Sequence, residues 1–133
     1  MLDKVIALPF SLFLIFLFAF FAVTGMAMFT QWSMVQNEAQ YIAASMGKWG
    51  GYTQEAEDSV KDMADRLDLS RSSVDVDVSD VGPVPWGMPV SAEVTVPFDF
   101  RVGKYDVGSF HISGLGNSVS TCIDAYDVSY IYP

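Results

Sequence analysis

Residues 5–29 read VIALPFSLFLIFLFAFFAVTGMAMF, and Pro9 and Gly25 are the only breakers among them. About 20 apolar residues suffice to cross a bilayer as a helix, so the run is long enough. A signal-peptide core is shorter, about 7–15 residues, so this run is expected to stay in the working protein. It is apolar round every face of a helix, which calls for lipid or protein on all sides. Lys4 precedes it and the next charge is Glu38. One cation at the start points to an N-terminus inside the plasma membrane and the remainder outside.

The run explains an otherwise contradictory composition. The 133 residues are 51% hydrophobic and only 17% charged, yet the net charge is −9. Between Val5 and Val35 lie 24 hydrophobic residues, and seven of the ten Phe fall there. Asp3 and Lys4 cancel, so the whole negative charge belongs to residues 38–133, with 15 acids against six bases. That balance, with no Lys/Arg cluster, argues against nucleic acid and anionic headgroups as partners of this acidic part. A single Cys (Cys122) rules out an internal disulfide and Cys-based zinc sites. A single His (His111) rules out His-pair metal sites, and nothing accompanies it to make a catalytic triad. No Gly-rich phosphate loop is present. No cofactor and no enzymatic activity are expected.

The helix is expected to outlast the apolar run. Met28, Trp32, Val35, Ala39, Ile42, Met46 and Trp49 recur at spacings of four and three, a heptad seam. Gln31, Gln36, Asn37, Glu38, Gln40, Ser45 and Lys48 take the other faces, and Gly50-Gly51 ends the helix. A helix over residues 2–49 measures roughly 70 Å at about 1.5 Å per residue, against a bilayer core of about 30 Å. The lower half therefore suits hydrocarbon, and the upper half packs on something by its seam. A plain membrane anchor accounts for the apolar run alone. The unbroken change to an amphipathic pattern, and large rigid side chains at Phe10, Phe13, Phe16 and Phe20, favour helix packed on helix in a filament.

The segment from Asp3 to Met46 resembles the type IV pilin superfamily, and the TadE-like pseudopilins most closely. Those proteins open with an acid, five mostly apolar residues and Leu-Pro before a long apolar helix; here Asp3 and Leu8-Pro9 hold that spacing. After the span they carry a Val-Gln-Asn-Ala-Ala-Arg-like run, and this chain has Val35-Gln36-Asn37-Glu38-Ala39-Gln40. Val5 stands where pilins usually have Glu, and the Cys pair many of them carry is missing. The resemblance implies a homopolymer of identical subunits, exported from the membrane by a pilus assembly machinery. It also implies that Asp3 pairs with a neighbour's N-terminal amine in the filament core. Lys4 is the rival partner, since a carboxylate among apolar residues needs one. Pro9 removes a backbone donor and loosens the helix, as the resemblance also implies.

Past the double glycine, Thr53 is a candidate N-cap, with Glu55, Glu57 and Asp58 in the first turn. Ala56, Val60, Met63, Ala64 and Leu67 form an apolar stripe, and Glu57–Lys61, Lys61–Asp65 and Asp62–Arg66 are opposite-charge pairs on the outer face. Strands are predicted over 74–79, 92–102, 105–112 and 119–132 from alternating apolar residues. Pro97 suggests an edge or a bulge. Gly103-Lys104 and Gly114-Leu115-Gly116-Asn117 read as hairpin turns, and residues 82–89 as a rigid loop presenting Trp86. The expected fold is α+β: a long apolar helix, a short amphipathic helix, and an antiparallel sheet of three to four strands covered on one face. Residues 1–49 are taken as the helical part and 50–133 as the acidic domain.

Asp75, Asp77 and Asp80 invite a cation reading, because carboxylates are hard oxygen ligands. The interleaved valines argue for a strand with Asp75 and Asp77 on its solvated side. His111 reads as a strand surface residue and Cys122 as a small buried side chain. The expected function is a structural subunit of an extracellular type IV pilus-like filament. The alternative is a single-pass anchored protein with an acidic binding or sensing domain outside the cell.

Overall fold

The computed structural model describes residues 2–102, 104–122 and 129–133. In chain order they form α1 (Leu2–Trp49), α2 (Gln54–Arg66), a single 3-10 turn (Arg71–Ser73), β1 (Asp75–Val78), β2 (Pro89–Val102) and β3 (Tyr105–Val119). The strands make one antiparallel sheet in the order β1-β2-β3. The fold is α+β. The chain divides into two compact units, Met1–Thr30 and Gln31–Pro133, so α1 contributes residues to both.

In the first unit α1 is a helix whose large side chains are exposed from Leu2 through Phe29, with Met28 half-buried. It stays helical through Pro9. Its composition and length are sufficient to cross a membrane. The helix stops at the double glycine: Gly50 takes a left-handed φ of 80° and its N–H donates to the Met46 carbonyl at 2.8 Å, the ending that glycine permits at low steric cost.

The second unit has its own core. Val35, Ala39, Ile42 and Met46 of α1 are fully buried, together with Val60 and Met63 of α2 and Val90, Val94 and Val96 of β2. Of the seam at spacings of four and three, these four positions of α1 lie in the core of their own chain, whereas Met28, Trp32 and Trp49 do not. Burial of side chains such as Ile42 stabilises by about 1.5–3 kcal/mol each. The stripe of α2 is buried as predicted at Ala56, Val60, Met63 and Ala64. Thr53 occupies the N-cap position with extended backbone, but its hydroxyl makes no capping bond. At the other end Asp68 is left-handed (φ 56°), and Leu69 N–H reaches back to the Ala64 carbonyl at 2.8 Å, a closure usually built on glycine.

β2 pairs β1 only from Ala92 to Thr95, whereas it pairs β3 along its length. This explains Pro97 in what is formally the central strand. β1 has ended before Pro97, so the missing N–H falls on a locally open edge. The register shift sits instead at Phe100/Arg101. Val102 pairs with Tyr105 where the first hairpin was expected, and Gly103 itself lies outside the described residues.

The second expected hairpin does not exist. β3 runs straight through Gly114-Leu115-Gly116-Asn117, and the two glycines face α1. A Cβ on Gly114 would stand 2.8 Å from the Gln36 N and Cα and from the Val35 oxygen, and one on Gly116 would overlap the Ala39 carbonyl. A Cβ on Gly47 would lie 2.7 Å from Ser118 Oγ. Helix and strand backbones therefore touch. The match is geometric: one helical turn rises about 5.4 Å and two strand residues span about 6.7 Å, close enough for successive turns of α1 to meet alternate residues of β3. The predicted last strand, 119–132, is also revised in its described part. β3 ends at Val119, and Tyr130 forms an isolated bridge with Thr53; residues 123–128, with Tyr126 and Val128, lie outside the described residues.

The loop before β2 is tied to the α1–α2 junction. Val84 N–H donates to the Gly50 carbonyl at 2.7 Å and Tyr52 N–H to the Val81 carbonyl at 2.9 Å. The Ser120 hydroxyl donates to the Val84 carbonyl at 2.9 Å. Trp86 stands out from this loop, 68% exposed.

Candidate assembly surfaces

Asp3 and Lys4 both lie exposed in the first turn of α1. Pro9, Phe10, Phe13, Phe16 and Phe20 follow on the same helix, all exposed. Phe13, Phe16, Leu17, Ala19, Phe20 and Val23 border an apolar hollow along it, and the rings of Phe20 and Phe21 meet edge-on at 6.0 Å. Phe rings on an isolated helix surface leave apolar area in contact with solvent, a cost that lipid or neighbouring helices remove.

The seam beyond residue 28 divides. Val35, Ala39, Ile42 and Met46, expected to join one copy to another, are fully buried inside their own chain and offer no surface to a partner. The physical reason is the sheet: β2 and β3 place an apolar face and two glycines against this part of α1, which satisfies the seam intramolecularly. Trp49 is also engaged at home. Its indole N–H donates to Glu55 at 2.8 Å, its carbonyl accepts the Tyr130 hydroxyl at 2.7 Å, and Lys48 Nζ lies 4.7 Å from its ring centroid. Met28 is half-buried and Trp32 is 43% exposed.

The acids of the β1 region do not converge. Asp75 and Asp77 alternate with Val76 and are exposed, and Asp80 accepts the Gly82 N–H at 3.1 Å. Among the described residues no three His, Cys, Asp or Glu side chains gather to hold a metal ion. His111 is exposed on β3, and Cys122 is buried beside Gly50.

Charge is organised elsewhere. Glu57 does not rely on Lys61 one turn along; both its oxygens accept from Arg71, at 2.7 and 2.9 Å, and Oε2 also accepts the Tyr52 hydroxyl at 2.7 Å. Burial raises the Glu57 pKa, but the bonds from Arg71 and Tyr52 outweigh it and hold the carboxyl below its ordinary value. Tyr52, whose side chain is fully buried, has its phenol pushed well above its usual range by that burial and by Glu57. Glu38 behaves oppositely. It lies nine residues past the apolar run, and burial lifts its pKa against the lowering influence of Ser59 and Arg66. Sequence reading placed Glu38 merely on the polar side of α1, because its burial depends on α2 packing beside it.

Comparison with protein-family models, with curated proteins and with solved structures found no match for the chain.

Proposed function

We propose that the chain is a structural subunit of an extracellular type IV pilus-like helical filament. It would lie in the plasma membrane as a single span, N-terminus inside, before assembly. It would then polymerise with identical subunits through residues 1–30. The observation that carries this reading is the contrast along α1. From Gln31 onward Val35, Ala39, Ile42 and Met46 are absorbed by the chain's own core, whereas before that residue the Phe-rich surface is exposed and has no core to enter. Such a surface serves as a lipid-facing span and equally as a helix–helix contact in a polymer. The resemblance of Asp3, Leu8-Pro9 and the Val35–Ala39 run to pilins supports the second use, and the assembly machinery is implied by that resemblance alone. With its net charge of −9, the subunit would give an acidic filament surface.

Electron microscopy of sheared cell-surface filaments, followed by mass spectrometry of their subunits, tests the proposal. Recovery of this chain in a sedimentable polymer is the expected result. A monomer or small oligomer in detergent, with the chain missing from every filament, would instead favour a single-pass protein with an acidic extracytoplasmic binding domain.

A further inference from the structure

A groove of about 310 Å³ separates α1 from α2, bordered by Met34, Glu38 and Tyr41 on one side and Ser59, Asp62 and Arg66 on the other. Oε1 of Glu38 is shut off from solvent and has no hydrogen-bond partner. A carboxylate with one oxygen unsatisfied is poorly stabilised, and a cation at the other oxygen offsets that. Asp62 adds a second acid against the single Arg66, so the groove is net negative. Its walls carry a thioether and a phenol, surfaces on which an alkyl stem lies well while an ammonium reaches the acids.

Among the described cations of the second unit, Lys48 lies over the Trp49 ring, Arg71 holds Glu57, and Arg66 already borders the groove. Lys104 is exposed in the turn between β2 and β3, next to Tyr105, which is 79% exposed. The pairing of β1 ends at Thr95, so about seven residues of β2 run past it before the turn, a two-stranded finger of roughly 23 Å. We propose that the α1–α2 groove receives Lys104 from a second copy of this chain, its ammonium meeting the Glu38 carboxylate. Finger and groove are different surfaces of one subunit, so used heterologously the contact propagates from copy to copy, the arrangement a filament needs. The inference rests on the filament reading and names the contact that fixes neighbouring subunits in register.

Zero-length carbodiimide cross-linking of the full chain tests this, using an equal mixture of isotopically light and heavy protein in detergent micelles and in sheared filaments. An isopeptide bond from Lys104 to Glu38 or Asp62, in mixed light–heavy pairs, is the expected product. Lys104→Glu, at an exposed turn where folding is not at stake, removes the amine that forms the link, so its readout is the self-association constant, which should fall by about tenfold or more, as for a charge pair taken out of water. Adding Glu38→Lys to Lys104→Glu should restore association. Links found solely within one chain, or from Lys104 to carboxylates outside the groove, overturn the inference. Filaments that form without the Lys104 link refute this contact and leave the filament reading standing. The link in micelles, with no filament containing the chain, does the reverse.

Discussion

The side-chain amide of Gln36 doubles as a strand partner for Leu115: its Nε2 donates to the Leu115 carbonyl at 2.8 Å and its Oε1 accepts the Leu115 N–H at 3.1 Å. β3 is the last strand of the sheet, and an edge leaves backbone groups that need partners. One glutamine on α1 supplies both. It does so because Gly114, the residue before, lets the helix backbone come into contact with the strand.

Replacing Gln36 with Leu should therefore cost about 1–2 kcal/mol of stability, the net worth of two such bonds at a partly exposed site. Hydrogen exchange gives the sharper check. The Leu115 amide should exchange about tenfold faster in Gln36→Leu, corresponding to about 1.4 kcal/mol of lost local protection. Gln36→Glu, which keeps an acceptor for the amide, should retain most of the protection. Unaltered exchange at Leu115 in the Leu variant would show that the edge is held by something else.

The glycines of β3 give a steeper test. Gly114→Ala and Gly116→Ala both drive a methyl into α1 backbone, which cannot yield as a flexible side chain does. Overpacking of this kind costs about 1–3 kcal/mol and sometimes more. Gly116→Ala should be the worse of the two, because its Cβ would overlap a carbonyl group. Gly25→Ala is the control: nothing lies within 4 Å of a Cβ there, and alanine favours a helix over glycine by about 1 kcal/mol. Melting temperatures of the three variants should fall in the order Gly25→Ala, Gly114→Ala, Gly116→Ala. An unchanged value for Gly116→Ala would place the helix away from the strand.

These glycines also mark where sequence reading stops. Periodicity suffices for the α1 seam, the α2 stripe and the valines of β1 and β2, because each is a local pattern imposed by one buried face. Gly114-Leu115-Gly116-Asn117 carries the local signature of a turn, and only the helix that packs across it reveals a strand with two residues pared to hydrogen. The seam at Val35, Ala39, Ile42 and Met46 is equally instructive. Its positions are readable as buried, but its partner is not, since a helix face matches a neighbouring helix and an apolar sheet by the same spacing. Gln36 and Glu38 look alike on paper, two polar residues of a solvated face. What distinguishes them is the element each meets, an unpaired strand edge for one and the flank of α2 for the other.

The link among Glu57, Arg71 and Tyr52 predicts a pH dependence. Because the folded Glu57 carboxyl titrates below its ordinary value, its contribution is present above the unfolded value of about 4.3 and is lost as pH falls through the folded one. Arg71→Met should cost about 1–3 kcal/mol at neutral pH, since it leaves a mostly buried carboxylate with fewer donors. The gap between variant and parent should narrow as pH falls from the unfolded value through the lowered folded one, where Glu57 becomes protonated in the parent as well. Urea titrations at several pH values would show this. A gap constant down to strong acid would mean that Arg71 stabilises instead by packing and by the bond its Nη1 donates to the Val74 carbonyl at 2.8 Å.

Glu38 predicts the opposite sign. Its folded carboxyl titrates above the ordinary value because of burial, so its charge opposes folding once pH exceeds the unfolded value, and fully so above the folded one. Glu38→Gln should stabilise the monomeric chain at neutral pH, with the gain vanishing below about pH 4.3. The same variant should weaken association between copies if Glu38 receives a cation there. A residue whose charge costs stability in the monomer and contributes to assembly separates function from folding in a single substitution. Stability that is unchanged at neutral pH would argue that solvent reaches Glu38 freely.

Asp3 tests the helical half of the proposal. It stands in the first turn of α1 among exposed apolar side chains, where a carboxylate without a cation is expensive once water is excluded. If helices of residues 1–30 pack together, that acid must meet an ammonium, whether the neighbour's Lys4 or its N-terminal amine. Asp3→Ala should therefore abolish or strongly reduce filaments while the melting temperature of residues 31–133 stays unchanged, since the two units have separate interiors. Removal of residues 1–28 should go further and give a soluble protein that no longer polymerises, because the exposed Phe surface leaves with them. Lys4→Ala discriminates between the two partners: it should mimic Asp3→Ala if Lys4 is the counter-ion and leave filaments intact if the amine is. Normal filaments from Asp3→Ala would make the acid incidental, and filaments from the truncated chain would move the polymer contacts to the sheet-bearing unit.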